Sequence, residues 1–262
     1  MLPLQLHRQC SRSPAPCSPS ASNALAPMRQ RRHSRRRKLL CQATSGTAHE
    51  ESAKLATNDC GTTSQVRLTL EKTSWNSRKL FASVNVAAPE EQVWQCLNDY
   101  EGLANFIPSL VENKCLEKKE NGAILYQVGA QEVAMGVNFS ASCTLDCTEF
   151  PNGVPAELCS DSGDGSDGLL PYPKSSLVNT PSRDIAFRLV EGDFKEFRGV
   201  WRTQPNTAAL NEKECSVLSY ALYVQPQGWL PVRLIQDRIE KEVLRNLGAL
   251  RDYAQAAYMK SR

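Results

Sequence analysis

The chain has 262 residues, with 31 Lys or Arg against 28 Asp or Glu and a formal net charge of +3. This length suits one substantial domain with appendages, and no apolar run approaches the roughly 18 residues that a membrane-spanning helix needs. The three histidines, His7, His33 and His49, all precede the part of the chain that is patterned like a folded domain. A Ser-His-Asp triad, a Cys-His dyad and a histidine-ligated metal are therefore excluded from that domain.

The first 43 residues are rich in Arg, Ser, Ala and Pro, and no Asp or Glu occurs before Glu50. This composition is typical of an organelle transit peptide. We expect residues 1–43 to be one and to direct the protein to the chloroplast, with the mitochondrion as the alternative. A nuclear signal or a nucleic-acid-binding arm is the competing interpretation of the basic run at 29–38.

Nine of the basic residues lie in this leader, so 31 − 9 leaves 22 basic against 28 acidic residues. The remainder therefore carries about −6, which does not favour a nucleic-acid partner.

Residues 44–77 are polar and predict a disordered linker. The domain is expected at 78–258, with a first strand at 78–87. Pro89, Glu90 and Glu91 predict the start of a helix, because Pro and acidic residues are favoured in the first helical turn. Gly102 ends that helix, and a second short helix at 103–107 stops at Pro108.

Antiparallel strands are predicted between residues 111 and 150. Asn121-Gly122 marks a hairpin turn, and the apolar runs at 124–128, 133–137 and 139–145 predict a meander. Residues 151–182, rich in Gly, Pro, Asp and Ser, predict a flexible insertion. Its acidic residues lie three apart rather than two, and Tyr172 stands where an EF-hand requires Glu, so a calcium loop is not expected.

Two curved strands and a long helix close the chain. Ile185, Phe187 and Leu189 alternate with polar or smaller residues, and Phe197, Gly199 and Trp201 share one face of the next run. Residues 217–224 are apolar on both faces, as in a central strand. Beyond Pro231, apolar residues recur at steps of three and four, which predicts one helical stripe consisting of Val232, Ile235, Ile239, Val243, Leu247, Leu250 and Ala254.

This order of elements predicts an α+β fold, because strands run together and helices lie at the ends. A curved antiparallel sheet around a long helix can leave a cavity between them. The ten cysteines include no C-x-x-C pair, so a zinc or thioredoxin-like site has little support. Cys143 and Cys147 share one face of a predicted strand, as a dithiol or as two buried thiols.

Several short motifs resemble the START-like superfamily, also described as helix-grip or Bet v 1-like. Within it the chain is similar to the polyketide cyclase/dehydrase group that includes coenzyme Q-binding Coq10-type proteins, and to plastid-targeted members in plants and algae. The motifs span about residues 79–258: APEEQVW at 88–94, DYEGLANFIP at 99–108, QVG at 127–129, EGDFKEFRGVW at 191–201, LSY at 218–220, LPVRLI at 230–235 and RNL at 245–247.

The resemblance implies a helix-grip domain: a curved antiparallel sheet wrapped around a long C-terminal helix, two short helices after the first strand, and a hydrophobic cavity between sheet and helix. It does not imply one chemistry, because this fold hosts carriers, receptors and enzymes. The insertion at 151–182 departs from the compact family domain. Gln236 stands where relatives are expected to carry an acid.

We expect ten mostly aromatic residues to line the cavity, since small-ligand sites are largely apolar with few polar groups. They are Phe106, Tyr126, Phe139, Phe187, Phe197, Trp201, Tyr220, Trp229, Leu234 and Ile235. Tyr126 and Tyr220 can orient a carbonyl by donating a hydrogen bond. Arg198 and Arg202 are either outward strand charges or guards of the cavity mouth. No catalytic residue, metal ligand or cofactor is predicted.

Three functions follow from this pattern. The first is non-enzymatic binding or transfer of a lipophilic small molecule such as a prenylquinone, an isoprenoid or another lipid, with transient membrane contact through the tip at Phe106, Ile107 and Pro108. The second is a cyclase or dehydratase for a polyketide-like or terpenoid substrate, which requires an acid beside a cavity Tyr. The third is a plastid assembly or regulatory factor, whose dependence on the ligand a cavity-filling Ala221→Trp change would reveal. No protein partner is specified.

Overall fold

The computed structural model describes residues 64–133, 137–160, 170–173, 181–207, 209, 214–228 and 230–262. Its ten strands are β1 Arg67–Lys72, β2 Arg78–Val86, β3 Leu110–Lys119, β4 Gly122–Val133, β5 Val137–Phe150, β6 Cys159–Ser160, β7 Leu170–Pro173, β8 Arg183–Gly192, β9 Phe194–Pro205 and β10 Ser216–Pro226. Its two α-helices are α1 Glu90–Asn98 and α2 Val232–Ser261. Single 3₁₀ turns occupy Leu103–Asn105 and Ala156–Leu158.

Eight strands form one antiparallel sheet in the order β1-β2-β10-β9-β8-β5-β4-β3. Helix α2 packs against β2 and β10 on the inner face of this sheet. Successive side chains of each strand point to opposite faces of the sheet, so one set faces α2 and the other faces away. The architecture is α+β with a curved antiparallel sheet and a long C-terminal helix, as the order of elements predicted.

The predicted helical stripe is confirmed in α2, which is 30 residues long and therefore spans about 45 Å at 1.5 Å per residue. Its buried residues are Val232, Ile235, Val243, Leu247, Leu250 and Ala254. Pro231 is the residue before the first helical one. The backbone N–H of Val232 donates to Asn76 Oδ1 at 2.6 Å, so the loop at 73–77 caps the helix. Gln236 accepts a hydrogen bond from Arg78 Nε at 2.6 Å.

The structure differs from the prediction within residues 44–77. Strand β1 pairs with β2 over its whole length, so residues 67–72 belong to the sheet rather than to a disordered linker. Val66, Leu68 and Leu70 alternate with exposed residues and pack against the core. Strand β1 lies at the edge of the sheet, and its alternating pattern is short and flanked by polar residues. The pattern was therefore not recognised as a strand within the polar segment.

Two further predicted elements are corrected. The expected strand at 133–137 is instead the end of β4 and the start of β5, which pair as Val133 with Val137. Part of the expected flexible insertion is ordered: Val154 and Cys159 are buried against Ala186, Val200 and Ala221. Strand β7 packs against β9 and β10, so the insertion covers part of the outer face of the sheet.

A buried ion pair lies under this cover. Asp184 accepts two hydrogen bonds from Arg202, each 2.8 Å long, and a third from the backbone N–H of Val154 at 2.7 Å. The side chains of Asp184 and Arg202 are 0% and 3% exposed. Arg202 therefore faces outward and guards no cavity mouth. Arg198 also points outward, beside Glu196 and 4.3 Å from the ring centre of Tyr223.

Candidate functional site

A cavity of about 200 Å³ lies between α2 and the inner face of the sheet. Strands β4, β5, β8, β9 and β10 and the start of β3 supply its sheet wall, and α2 supplies the opposite wall. The end of α1 and the connection that follows it close one side through Leu97, Tyr100, Leu103 and Ile107. The lining is mainly apolar, which is the usual character of a small-molecule site.

Aromatic rings form the centre of the sheet wall. Tyr220 and Trp201 are paired across β10 and β9, and their ring centres are 4.2 Å apart. Phe187 lies 5.8 Å from Tyr220 and 5.6 Å from Phe197, measured between ring centres. These separations allow the rings to attract one another as well as to bury area. The wall therefore presents a continuous aromatic surface on which neighbouring rings are stacked or tilted against one another.

Gly199 makes this wall possible. A Cβ placed there would stand 2.5 Å from Phe187 Cζ and 2.2 Å from the backbone oxygen of Ala221. Any side chain would displace the Phe187 ring or separate β9 from β10. The sequence placed Gly199 on the same strand face as Phe197 and Trp201, and the structure adds that its missing side chain leaves room for the Phe187 ring.

The helix wall is mixed in polarity. Ile235, Ile239, Val243 and Leu247 supply apolar contacts. Arg238, Glu242 and Asn246 also line the cavity, at four-residue steps that place them on one helix face.

Each polar residue of this wall has a partner. Arg238 Nε donates to Glu242 Oε1 at 2.8 Å. Asn246 Nδ2 donates to Ser109 Oγ at 2.9 Å, and Ser109 Oγ is 3.0 Å from Asn246 Oδ1.

A Tyr–Glu pair stands at the α1 side of the cavity. The Tyr100 hydroxyl donates to Glu149 Oε1 at 2.7 Å, and Asn98 Nδ2 donates to Glu149 Oε2 at 3.3 Å. Glu149 is half-buried and pairs with Ile185, a lining residue, across β5 and β8. Burial, and then the hydrogen bond and charge of Glu149, raise the pKa of Tyr100, which keeps its hydroxyl protonated.

The remaining titratable groups of the sheet wall are neutral. Burial raises the pKa of Tyr220, and the neighbouring Cys143 and Glu242 add to this shift. Burial also raises the pKa values of Cys143 and Cys147 to about 12 each. Both cysteines are free thiols facing the cavity. Because the thiolate is the nucleophilic form, these thiols are inert at neutral pH.

Of the ten residues expected to line the cavity, the structure places five there: Phe187, Phe197, Trp201, Tyr220 and Ile235. Trp229 and the side chain of Phe139 lie outside the described residues.

Three others lie elsewhere. Leu234 is 75% exposed, because the neighbouring Ile235 takes the inward position on the helix. Tyr126 follows buried Leu125 on β4, so its side chain points to the opposite face of the sheet. The Lys114 ammonium lies 6.0 Å from its ring centre. Phe106 is buried but stacks on Tyr253, with ring centres 4.3 Å apart.

The tip at 106–108 also differs from its predicted role. Phe106 and Ile107 are 9% and 7% exposed, so these side chains pack into the core and offer little surface to a membrane. Ala221 belongs to the outer cluster with Val154 and Val200, so a Trp at that position would not fill the cavity.

Tyr100, Ser109 and the polar stripe of α2 were not among the residues expected to line the cavity. The four-residue spacing of Arg238, Glu242 and Asn246 was a usable signal, since it runs beside the apolar stripe.

Within the part of the chain that the structure describes, no group of three or more His, Cys, Asp and Glu side chains is arranged to hold a metal ion. In the same described residues, no helix is both long enough and apolar enough to cross a membrane.

The geometry defines an α+β protein with a mainly apolar cavity of about 200 Å³ under its C-terminal helix. Residues 86–251, more than half of the chain, match the family described as "Polyketide cyclase / dehydrase and lipid transport". The chain belongs to this family. A search of curated protein sequences found no match.

Solved structures with a similar fold include both kinds of protein in that description. A STAR-related lipid transfer protein fragment from Xanthomonas axonopodis is 12% identical, with a TM-score of 0.49 over 72% of this chain and 98% of its own. Human STARD10 is 12% identical, with a TM-score of 0.48 over 75% and 71%. The Zhui aromatase/cyclase from Streptomyces sp. R1128 is 16% identical, with a TM-score of 0.45 over 68% and 94%.

Proposed function

We propose that this protein binds a compact lipophilic small molecule in its cavity and carries or stores it without changing it chemically. The observation that carries this proposal is the aromatic wall formed by Phe187, Phe197, Trp201 and Tyr220 around an open volume. If this region served only to stabilise the fold, side chains would fill the volume, because each unfilled methylene-sized space costs free energy of folding. Membership in a family that includes lipid transport supports the same function.

The size of the cavity limits the ligand. Pockets that bind drug-sized ligands usually measure about 300–1,000 Å³, and this cavity measures about 200 Å³. The volume argues against a fully enclosed long-chain lipid. It fits one or two fused rings, so a prenylquinone of the kind bound by Coq10-type proteins would place its ring inside and leave its chain outside or widen the site. An isoprenoid or another small lipid is the alternative ligand.

The test is to purify the full chain, extract it with organic solvent and identify the co-purifying molecules by mass spectrometry. An Ala141→Phe variant is the matched control, because Ala141 lines the cavity and a larger side chain there would occupy it. We expect a molecule of ring size in the wild-type extract and its loss from the variant. Identical extracts, or an absence of any stoichiometric small molecule, would contradict the proposal.

Transfer between membranes would require a docking surface, and we place it at the start of α2. Trp75 and Leu234 are 69% and 75% exposed. Asn76, next to Trp75, bonds both Leu230 O and Val232 N, which holds this part of the loop against the helix end that carries Leu234. Exposed Arg233 follows Val232. A Trp beside a cation suits an anionic bilayer surface, since Trp favours the membrane interface and Arg favours acidic headgroups.

Vesicle flotation tests this surface. Full-length protein should float with vesicles containing anionic phosphatidylserine, and Trp75→Ala with Leu234→Ala should reduce the bound fraction several-fold. Leu116→Ala is the control, because Leu116 is 58% exposed on β3 at the opposite edge of the sheet. Equal flotation of all three proteins would eliminate the surface.

The composition of residues 1–43 supports a chloroplast location, with the mitochondrion as the alternative. A fusion of these residues to a fluorescent protein should enter chloroplasts in plant cells. A nuclear or cytosolic signal would overturn this part of the proposal.

The Tyr100–Glu149 pair favours a second candidate function, a cyclase or dehydratase acting on a polyketide-like or terpenoid substrate. It provides the acid beside a cavity Tyr that proton transfer requires. A ligand recovered after incubation would then differ in mass from the ligand supplied, and Tyr100→Phe would abolish the change while ligand binding continued. A ligand recovered unchanged from wild-type protein supports carriage instead.

A further inference from the structure

The polar stripe of α2, made of Arg238, Glu242 and Asn246, is the feature of the cavity that the carrier function leaves unexplained. It is separate from the solvent-facing charges of the same helix, such as Arg233, Asp237 and Lys241, which are exposed. The side chains of Arg238 and Glu242 are 15% and 24% exposed and line the cavity. The stripe therefore faces the ligand volume.

Polar groups in such a place carry an energetic penalty. A charged pair removed from water is often less stabilising than apolar residues of similar volume. The cavity would hold a purely apolar ligand better if leucines continued the stripe of Ile235, Ile239 and Val243. The polar stripe is useful despite this penalty if it forms a hydrogen bond with a polar atom of the ligand.

The chemistry of that atom follows from Glu242. Its carboxylate accepts one hydrogen bond from Arg238, and a carboxylate has about four acceptor positions. It can therefore accept a second hydrogen bond from a donor inside the cavity. Across the cavity lies the aromatic wall, where the hydroxyl of Tyr220 stays protonated because burial raises its pKa.

We infer that Glu242 accepts a hydrogen bond from a ring hydroxyl of the ligand, so the preferred ligands are compact phenol-class molecules whose ring packs against Trp201 and Tyr220. Asn246, one turn further along α2, is about 6 Å away at 1.5 Å per residue. Its amide and the Ser109 hydroxyl offer a site for a second oxygen on the far side of the ring. This inference rests on the proposed binding function and names the ligand class.

The experiment compares two probes of nearly equal shape, 2-naphthol and 2-methylnaphthalene, by equilibrium dialysis against the full chain. The wild-type protein should bind 2-naphthol about tenfold more tightly, because a hydrogen bond to a charged group is among the stronger ones. Glu242→Gln keeps the shape of the side chain but removes its charge. It should reduce 2-naphthol affinity about fivefold and leave 2-methylnaphthalene affinity unchanged.

Glu240→Gln is the matched control, because Glu240 lies on the same helix, accepts a hydrogen bond from Gln236 and does not line the cavity. It should bind both probes as wild type does. Equal wild-type affinity for the two probes would overturn the inference and leave the binding function standing. A preference for 2-naphthol that survives Glu242→Gln would remove Glu242 from the role. Binding of neither probe would overturn both the inference and the proposed function.

Discussion

The inner and outer faces of the same strands have opposite properties. On β9, Trp201 points into a cavity of about 200 Å³, and the next residue, Arg202, points into a closed layer where it bonds Asp184. The outer face is covered by residues 151–160 and β7, whereas the inner face keeps open space beneath α2. One face of the sheet thus contributes mainly to stability and the other to the proposed ligand binding. A substitution on either face should affect mainly one of these two properties.

The largest expected effect is on the outer face. Asp184→Ala would leave Arg202 buried without its carboxylate, which should lower the free energy of unfolding by about 3–5 kcal/mol. Urea unfolding followed by circular dichroism measures this loss. Protein that remains folded should still bind 2-naphthol, because Asp184 does not line the cavity. A loss of less than about 1 kcal/mol would show that the outer pair adds no stability.

A pair of identical substitutions on opposite faces sharpens the contrast. Ala186→Phe enlarges a residue in the closed outer cluster and should cost about 1–3 kcal/mol of stability through overpacking. Ala141→Phe enlarges a residue beside open space, so it should cost less stability and weaken ligand binding by at least about tenfold. Urea unfolding and probe binding on both variants test this. If both variants lose stability equally, the inner volume does not tolerate added atoms.

The inner thiols predict a dependence on pH. In the folded protein the pKa values of Cys143 and Cys147 are raised to about 12 from an ordinary 9.0. The folded state therefore holds these protons more strongly than the unfolded state, so their contribution is complete below pH 9 and is lost as pH rises toward 12. Stability at about pH 9.5 should be lower than at about pH 8 by on the order of 1 kcal/mol.

The Cys143→Ala/Cys147→Ala double variant is the control for the other groups that titrate at high pH. It should lose less stability than wild type over the same interval. An equal loss in both proteins would assign the pH effect to groups elsewhere.

The smallest expected effect concerns an exposed ion pair. Arg183 Nη1 lies 2.6 Å from Glu91 Oε2, and the Glu91 side chain is 53% exposed. The Arg183 hydrogen bond lowers the pKa of Glu91, but solvent screens such pairs. Glu91→Gln should therefore change the free energy of unfolding by less than about 1 kcal/mol. A larger loss would mean that the different burial of the two ion pairs does not explain the different stability effects of Glu91→Gln and Asp184→Ala.

Periodicity predicted the sheet, the long helix and the inward aromatics of β8 and β9, because alternation fixes which side of a strand faces the core. The helical stripe contains Ile235 but not Leu234, so periodicity argued against Leu234 as a lining residue, and its 75% exposure agrees. Phe106 was misplaced because its partner, Tyr253, is distant in sequence. Nor did periodicity find the polar lining, whose burial depends on tertiary packing.

The cap that Asn76 places on α2 joins residues 156 positions apart in the chain. Strand β2, near the start of the domain, also pairs with β10, near its end. Strand β2 therefore cannot complete its hydrogen bonds until β10 has been synthesised and, if a leader directs import, translocated. Non-local pairing of this kind slows folding into the millisecond-to-second range. Until then Leu80, Val84 and Val86, buried in the finished protein, are exposed to any chaperone that is present.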